Sequence, residues 1–135
     1  AFTDVSKGIR LAVNTIRLQR SQRTPELPQL TADDFFDRAL EQQNQGDQRG
    51  AIADYTQALQ LKSDYIQAYN NRGNAYRALG DYQAAIADYD QAIQLNPDYA
   101  FAYNGRGATR SDLGDCQSAI ADYDQAIKLN PDYAE

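Results

Sequence analysis

The sequence predicts an all-α fold, an α-solenoid of three helix-turn-helix repeats preceded by an N-terminal amphipathic helix. Three observations carry this reading. The string Ala-Ile-Ala-Asp-Tyr-x-Gln-Ala recurs at 51–58, 85–92 and 119–126, spaced by 34 residues each time. Aligning 66–99 with 100–133 gives 23 identities in 34 positions, and 32–65 against 66–99 gives 14. Within each period, small and apolar residues fall at helical spacing twice, with a Gly-Asp pair between the two runs. A fixed period of this length marks stacked copies of one supersecondary unit that bury a shared core.

Residues 1–31 are the first region. Over 4–20, Val5, Ile9, Ala12, Val13 and Ile16 stand at helical spacing, with Lys7, Arg10, Asn14 and Arg17 toward another side. That pattern predicts a basic amphipathic helix, joined through Pro25-Glu26-Leu27-Pro28 to the rest. Three uses compete for it: a cap over the first repeat, docking on a partner or a second copy through Lys7, Arg10 and Arg17, or contact with an acidic membrane. A single helix with few aromatics binds membranes only marginally, which favours the first two.

Residues 32–135 hold the repeats, 32–65, 66–99 and 100–133. In the second, Tyr69, Gly73, Tyr76 and Leu79 form a helical stripe that ends at Gly80. Glycine suits the left-handed residue that terminates a helix. Asp81 follows and is placed to cap the next helix by accepting its orphan N–H groups. Ala85, Ile86, Tyr89, Ala92 and Ile93 continue at helical spacing, and Pro97 stops the unit. Gly46-Asp47, Gly114-Asp115 and Pro131 repeat the same punctuation; Ser63 replaces the proline in repeat one, a softer stop.

These residues resemble the tetratricopeptide repeat family. The fourth position of each repeat is aromatic (Phe35, Tyr69, Tyr103) and the eighth small (Ala39, Gly73, Gly107). Alanine holds the twentieth (Ala51, Ala85, Ala119) and twenty-seventh (Ala58, Ala92, Ala126), and tyrosine the twenty-fourth (Tyr55, Tyr89, Tyr123). Small residues let paired helix axes approach while aromatics fill the gaps beside them. The seventh position departs from the family's usual leucine: it is Arg38, Arg72 and Arg106. Arginine on a mostly buried face needs carboxylates, and Asp54, Asp88 and Asp122 are predicted partners within or between adjacent repeats. The eleventh position, Tyr76 in repeat two, becomes Gln42 and Arg110, so the outer repeats are expected to pack less well there.

Composition removes most enzyme classes. There is no histidine and one cysteine, which excludes His- or Cys-based zinc sites, Ser-His-Asp and Cys-His nucleophile pairs, and an intrachain disulfide. No catalytic residue, metal or cofactor is expected. Residues 1–24 carry five basic and one acidic side chain, and 25–135 carry eight basic and eighteen acidic. An acidic body of that kind repels phosphate backbones, so nucleic acid is not an expected partner. The Asp-Tyr-Asp strings at 88–90 and 122–124 do not make a metal site, because residues i and i+2 of a helix diverge. One acid of each is expected to bridge and the other to face water. Cys116, where repeat two has Tyr82, is expected to be a small packing residue.

The resemblance implies a right-handed superhelix whose first helices line a concave groove. Carried over by position, the partner-binding residues are Phe36 and Leu40, then Gln67, Asn70, Asn71, Asn74 and Arg77, then Phe101, Asn104 and Ala108. Amides that both donate and accept suit the backbone of an extended peptide, and Gly105 is expected to leave room for a partner side chain. Chaperone-binding members of the family hold C-terminal carboxylates with lysines, asparagines and an arginine. The corresponding positions here are Phe36, Leu40, Asn71, Phe101 and Gly105, and only Asn71 matches, so a carboxylate clamp is not expected.

The expected function is a non-catalytic interaction module, an adaptor, scaffold or assembly factor, whose partner is another protein or a peptide segment. The alternative is a structural homo-oligomer built through an uncapped repeat end, or the non-catalytic part of a larger protein. Only four residues follow Pro131, too few for a capping helix, which raises truncation or self-association as expectations. The absence of methionine leaves initiator removal, signal cleavage and truncation all open at Ala1.

Overall fold

The computed structural model describes residues 29–134. They form α1 (Ala32–Asn44), α2 (Gln48–Leu61), α3 (Ile66–Ala78), α4 (Tyr82–Leu95), α5 (Ala100–Asp112), α6 (Cys116–Leu129) and a 3-10 turn, Pro131–Ala134. Each 34-residue period is one helix pair, as its punctuation predicts. The N-terminal amphipathic helix, with Lys7, Arg10 and Arg17, lies outside the described residues.

The Gly-Asp pair does three jobs in each repeat. Gly46, Gly80 and Gly114 take φ of 86°, 81° and 85°, the left-handed region that side chains disfavour. The Gly80 N–H then donates to the Arg77 carbonyl and the Asp81 N–H to the Tyr76 carbonyl, both at 2.9 Å, which satisfies two carbonyls at the end of α3. The same aspartate opens the next helix: its carboxylate accepts from the Ala84 N–H at 3.3 Å, and Asp47 and Asp115 do likewise for Gly50 and Ser118. α1 instead begins with a reciprocal box, Thr31 Oγ1 accepting from the Asp34 N–H and Asp34 from the Thr31 N–H. The proline is not what sets the other boundary. α2 stops at Leu61 before Ser63 in the same register as α4 stops at Leu95 before Pro97.

Packing follows the small-residue pattern. Ala39, Ala51, Ala58 and Ala68 are fully buried in the first repeat and its junction with the second; Ala85, Ala92 and Ala102 serve the next junction. Tyr55 and Tyr89 fill the spaces these alanines leave and are themselves fully buried. Tyr89 lies between glycines of two repeats. A Cβ built at Gly73 meets its ring at 2.9 Å, and one at Gly105 meets it closer still. Besides the pairs within each repeat, α2 packs on α3 and α4 on α5. The first helices α1 and α3, and α3 and α5, also touch, whereas the second helices do not, so the stack is tighter on its first-helix side.

The predicted packing of Cys116 is corrected. It is exposed at the first position of α6, whereas Gln48 and Tyr82 at the same position of α2 and α4 are half-buried; those two are followed by another helix pair, and among the described residues α6 is not.

Candidate functional site

The candidate face is made by α1, α3 and α5, and its frame is set by the arginines at the seventh position. Arg38 grips Asp54, Arg72 grips Asp88 and Arg106 grips Asp122, each through two nitrogens at 2.7–3.0 Å. All three pairs lie within a repeat, and the planar guanidinium explains the two-pronged geometry. The third nitrogen crosses to the repeat before: Arg72 Nη1 donates to Thr56 Oγ1 at 3.1 Å and Arg106 Nη1 to Asp90 at 2.8 Å. Both acids of 88–90 are therefore bridging, one inside its repeat and one to the next. Burial pushes the Asp88 carboxyl up, against the pull of Arg72 beside it. In repeat three, Arg110 joins Asp122 at 2.7 Å, which gives the non-aromatic eleventh position a partner. Its counterpart Gln42 keeps a buried Oε1 without one among the described residues.

Each predicted groove residue has a definite place on this frame. Phe36 is half-buried and stacks on Tyr65 with ring centroids 4.8 Å apart, and Leu40 packs on the same cluster. Gln67 and Asn74 are exposed; Asn71, Arg77, Asn104 and Ala108 are half-buried. Asn70 is only 6% exposed, and its Oδ1 has no donor among the described residues. Its amide donates weakly to Asn71 Oδ1 at 3.5 Å. Phe101 is 56% exposed, tilted against Tyr99 at 5.4 Å and edge-on to Tyr133 at 5.9 Å.

Two second-helix tyrosines reach through to this face, which residue spacing alone did not anticipate. Tyr55 donates to Gln43 Oε1 at 2.7 Å, and Tyr89 donates to Asn74 Oδ1 at 2.5 Å. Burial pushes both phenols up to about 12. Gln43 also donates to the Asn71 carbonyl at 3.3 Å, tying α1 to α3. Arg77 pairs with Asp112 at 2.7 Å, tying α3 to α5. The room expected beside Gly105 is filled from within, by the Tyr89 ring. The signal was present in the sequence as small residues at Gly73 and Gly105 opposite a repeated tyrosine.

The model of the tetratricopeptide repeat matches residues 66–99 and 100–133, and a second TPR repeat model matches 44–77. The chain belongs to the tetratricopeptide repeat family. Among solved structures of this family, the first TPR of Spaghetti (RPAP3) bound to the HSP90 peptide SRMEEVD is similar at 30% identity and a TM-score of 0.73. That match covers 75% of this chain and 80% of that one. The second TPR of the same protein, bound to the same peptide, gives 29% and 0.72, covering 74% and 93%. The OM64 TPR domain of Arabidopsis gives 25% and 0.74, covering 76% and 84%. Comparison with curated proteins gives no match.

Proposed function

We propose that this tetratricopeptide chain is a non-catalytic interaction module that holds a partner segment on its first-helix face through apolar and amide contacts. The observation that carries the reading is the state of the cations. α1, α3 and α5 contain no lysine, and each of their arginines (Arg38, Arg72, Arg77, Arg106 and Arg110) is already paired with an aspartate of the same chain. A carboxylate tail would have to compete with those pairs. What the face offers instead is the exposed Phe101, the edges of Phe36 and Leu40, and the amides of Gln67, Asn71, Asn74 and Asn104. Apolar anchors with a few amide hydrogen bonds suit an extended or helical segment of a partner.

This reading departs from the relatives bound to the HSP90 peptide, and a titration separates the two. A fluorescent peptide ending Met-Glu-Glu-Val-Asp is expected to show no saturable polarisation change with the full chain. Saturation in the micromolar range would overturn the exclusion of a clamp. Selection from a random peptide library is expected to return apolar and amide-rich sequences that Phe101→Glu no longer retains. Peptides retained equally by that variant would place binding elsewhere.

Stacking of copies end to end is less well supported, for a reason specific to repeat one. Ala68 and Ala102 are fully buried where α3 and α5 meet the preceding repeat, and Ala75 and Thr109 are likewise fully buried. The same positions in α1 are Asp34 and Glu41, both exposed. A second copy docking there would have to bury two carboxylates.

A further inference from the structure

We propose that a cleft between the first and second repeats binds a partner segment that inserts an apolar side chain beside an acidic one taken by Arg49. The cleft holds about 320 Å³ and is lined by Arg49 and Ile52 of α2, Tyr76 and Leu79 at the end of α3, and Asp81 at the head of α4. None of these belongs to the face assigned above, so the inference stands independently of that reading. The volume is at the low end for ligand pockets, room for one or two side chains and too little for a dinucleotide. Three walls are apolar, and Leu79 is 41% exposed at the cleft.

Charge decides what sits beside the apolar group. Every other arginine among the described residues grips an aspartate, whereas Arg49 has no ion-pair partner among them. Asp81 lines the same cleft without reaching it, its carboxylate committed to the Ala84 N–H. A ligand entering the cleft therefore meets an uncommitted guanidinium on one side and a capped carboxylate on the other. The guanidinium takes a side-chain carboxylate, and the Asp81 side can accept a peptide N–H.

The next junction along the stack shows that this is not a by-product of the repeat. There the corresponding residues are Gln83, Ile86, Arg110, Leu113 and Asp115. The cation has become an amide, and the aromatic wall has become an arginine drawn to Asp122 at 2.7 Å. The combination of aromatic wall and unpaired cation occurs once in the described stack.

The test uses the full chain labelled with ¹⁵N and two capped peptides, acetyl-Gly-Asp-Leu-Phe-Gly-amide and its counterpart with lysine for aspartate. The aspartate peptide is expected to shift the amides of residues 49–52 and 76–81 saturably, at least about tenfold more tightly than the lysine peptide. The acidic body as a whole favours the lysine peptide, so this preference has to come from Arg49. Arg49→Glu, at an exposed position and checked by circular dichroism, is expected to reverse it. Absence of saturable shifts at millimolar peptide would overturn the proposal. So would shifts centred on Asn74, Phe101 and Asn104, or a preference that Arg49→Glu leaves unchanged.

Discussion

Arg106 donates through Nη1 to Asp90 at 2.8 Å across the boundary between the second and third repeats, while its other nitrogens hold Asp122 within its own. One side chain thus fixes both the pairing of α5 with α6 and the register of α5 on α4. The two bonds differ in worth because their acids differ in exposure: Asp90 is half exposed and Asp122 almost fully buried.

Removal of the buried acid is expected to cost far more than removal of the exposed one. Asp122→Ala leaves Arg106 and Arg110 without their shared carboxylate and is expected to lose about 3–5 kcal/mol. Asp90→Ala removes a solvent-screened contact and is expected to lose at most about 1 kcal/mol. Urea unfolding monitored by circular dichroism measures both. Equal losses would mean that burial of the acid does not set the worth of the contact, and a larger loss for Asp90→Ala would make the bridge between repeats the dominant contribution.

Gly105→Ala is expected to destabilise by about 1–3 kcal/mol, because its methyl group runs into the Tyr89 ring in a site already closed from the other side by Gly73. Gly73→Ala, where the approach is 2.9 Å, is expected to cost less. A double-mutant cycle with Tyr89→Leu checks the cause. Loss of most of the Gly105→Ala penalty once the ring has been removed by Tyr89→Leu is the expected coupling, and a penalty that persists unchanged would place the clash elsewhere.

The helix pairs, the glycine turns, the aspartate caps and the Arg–Asp pairs were legible in the sequence because each depends on residue type at a fixed offset. The contents of the first-helix face were less so. Spacing placed Asn70 and Gly105 on the groove side, but burial is decided by what the neighbouring repeat sends in. Tyr89 fills the space beside Gly105 and engages Asn74; Asn70 is enclosed where Phe36 and Phe101 are not. The bond from Tyr89 to Asn74 lies within one repeat, but the approach of Tyr89 to Gly105 depends on the stacking of one repeat on the next, which no single period encodes. Cys116 is exposed where its counterparts Gln48 and Tyr82 are half-buried, because those two stand in repeats that another repeat follows and, among the described residues, its own repeat is the last, so taking the place of Tyr82 did not imply taking over its packing.

The acid limb of stability is expected to depend on the box at the head of α1. The Thr31 backbone N–H holds the Asp34 carboxyl below its ordinary value of 3.8. A group depressed on folding stabilises above its unfolded pKa, and that contribution is lost as pH falls through the folded one. Asp88 has the opposite sign: burial raises it, so its protonation on acidification relieves a cost to the folded state. Asp34→Asn is therefore expected to flatten the fall of melting temperature below about pH 4. A steeper fall in the variant would show that the box does not carry the acid dependence.

The alkaline limb is expected to be set by the buried tyrosines. Tyr89 is raised from 10.0 to about 12 by burial, and its hydroxyl needs its proton to donate to Asn74. Between those two values the unfolded chain loses the proton and the folded one keeps it, so the unfolded state binds fewer protons and stability falls as pH rises. The contribution is fully present below pH 10, and the rise from 10.0 to about 12 corresponds to on the order of 2–3 kcal/mol lost by pH 12. Tyr89→Phe is expected to lower stability modestly at pH 7, where the hydrogen bond to Asn74 is lost. The same variant is expected to decline less steeply between pH 10 and 12. Thermal melts across that range, with tyrosinate absorbance near 295 nm followed in parallel, read both effects. Parallel declines for wild type and variant would mean that Tyr55 or another phenol, and not Tyr89, governs the alkaline transition.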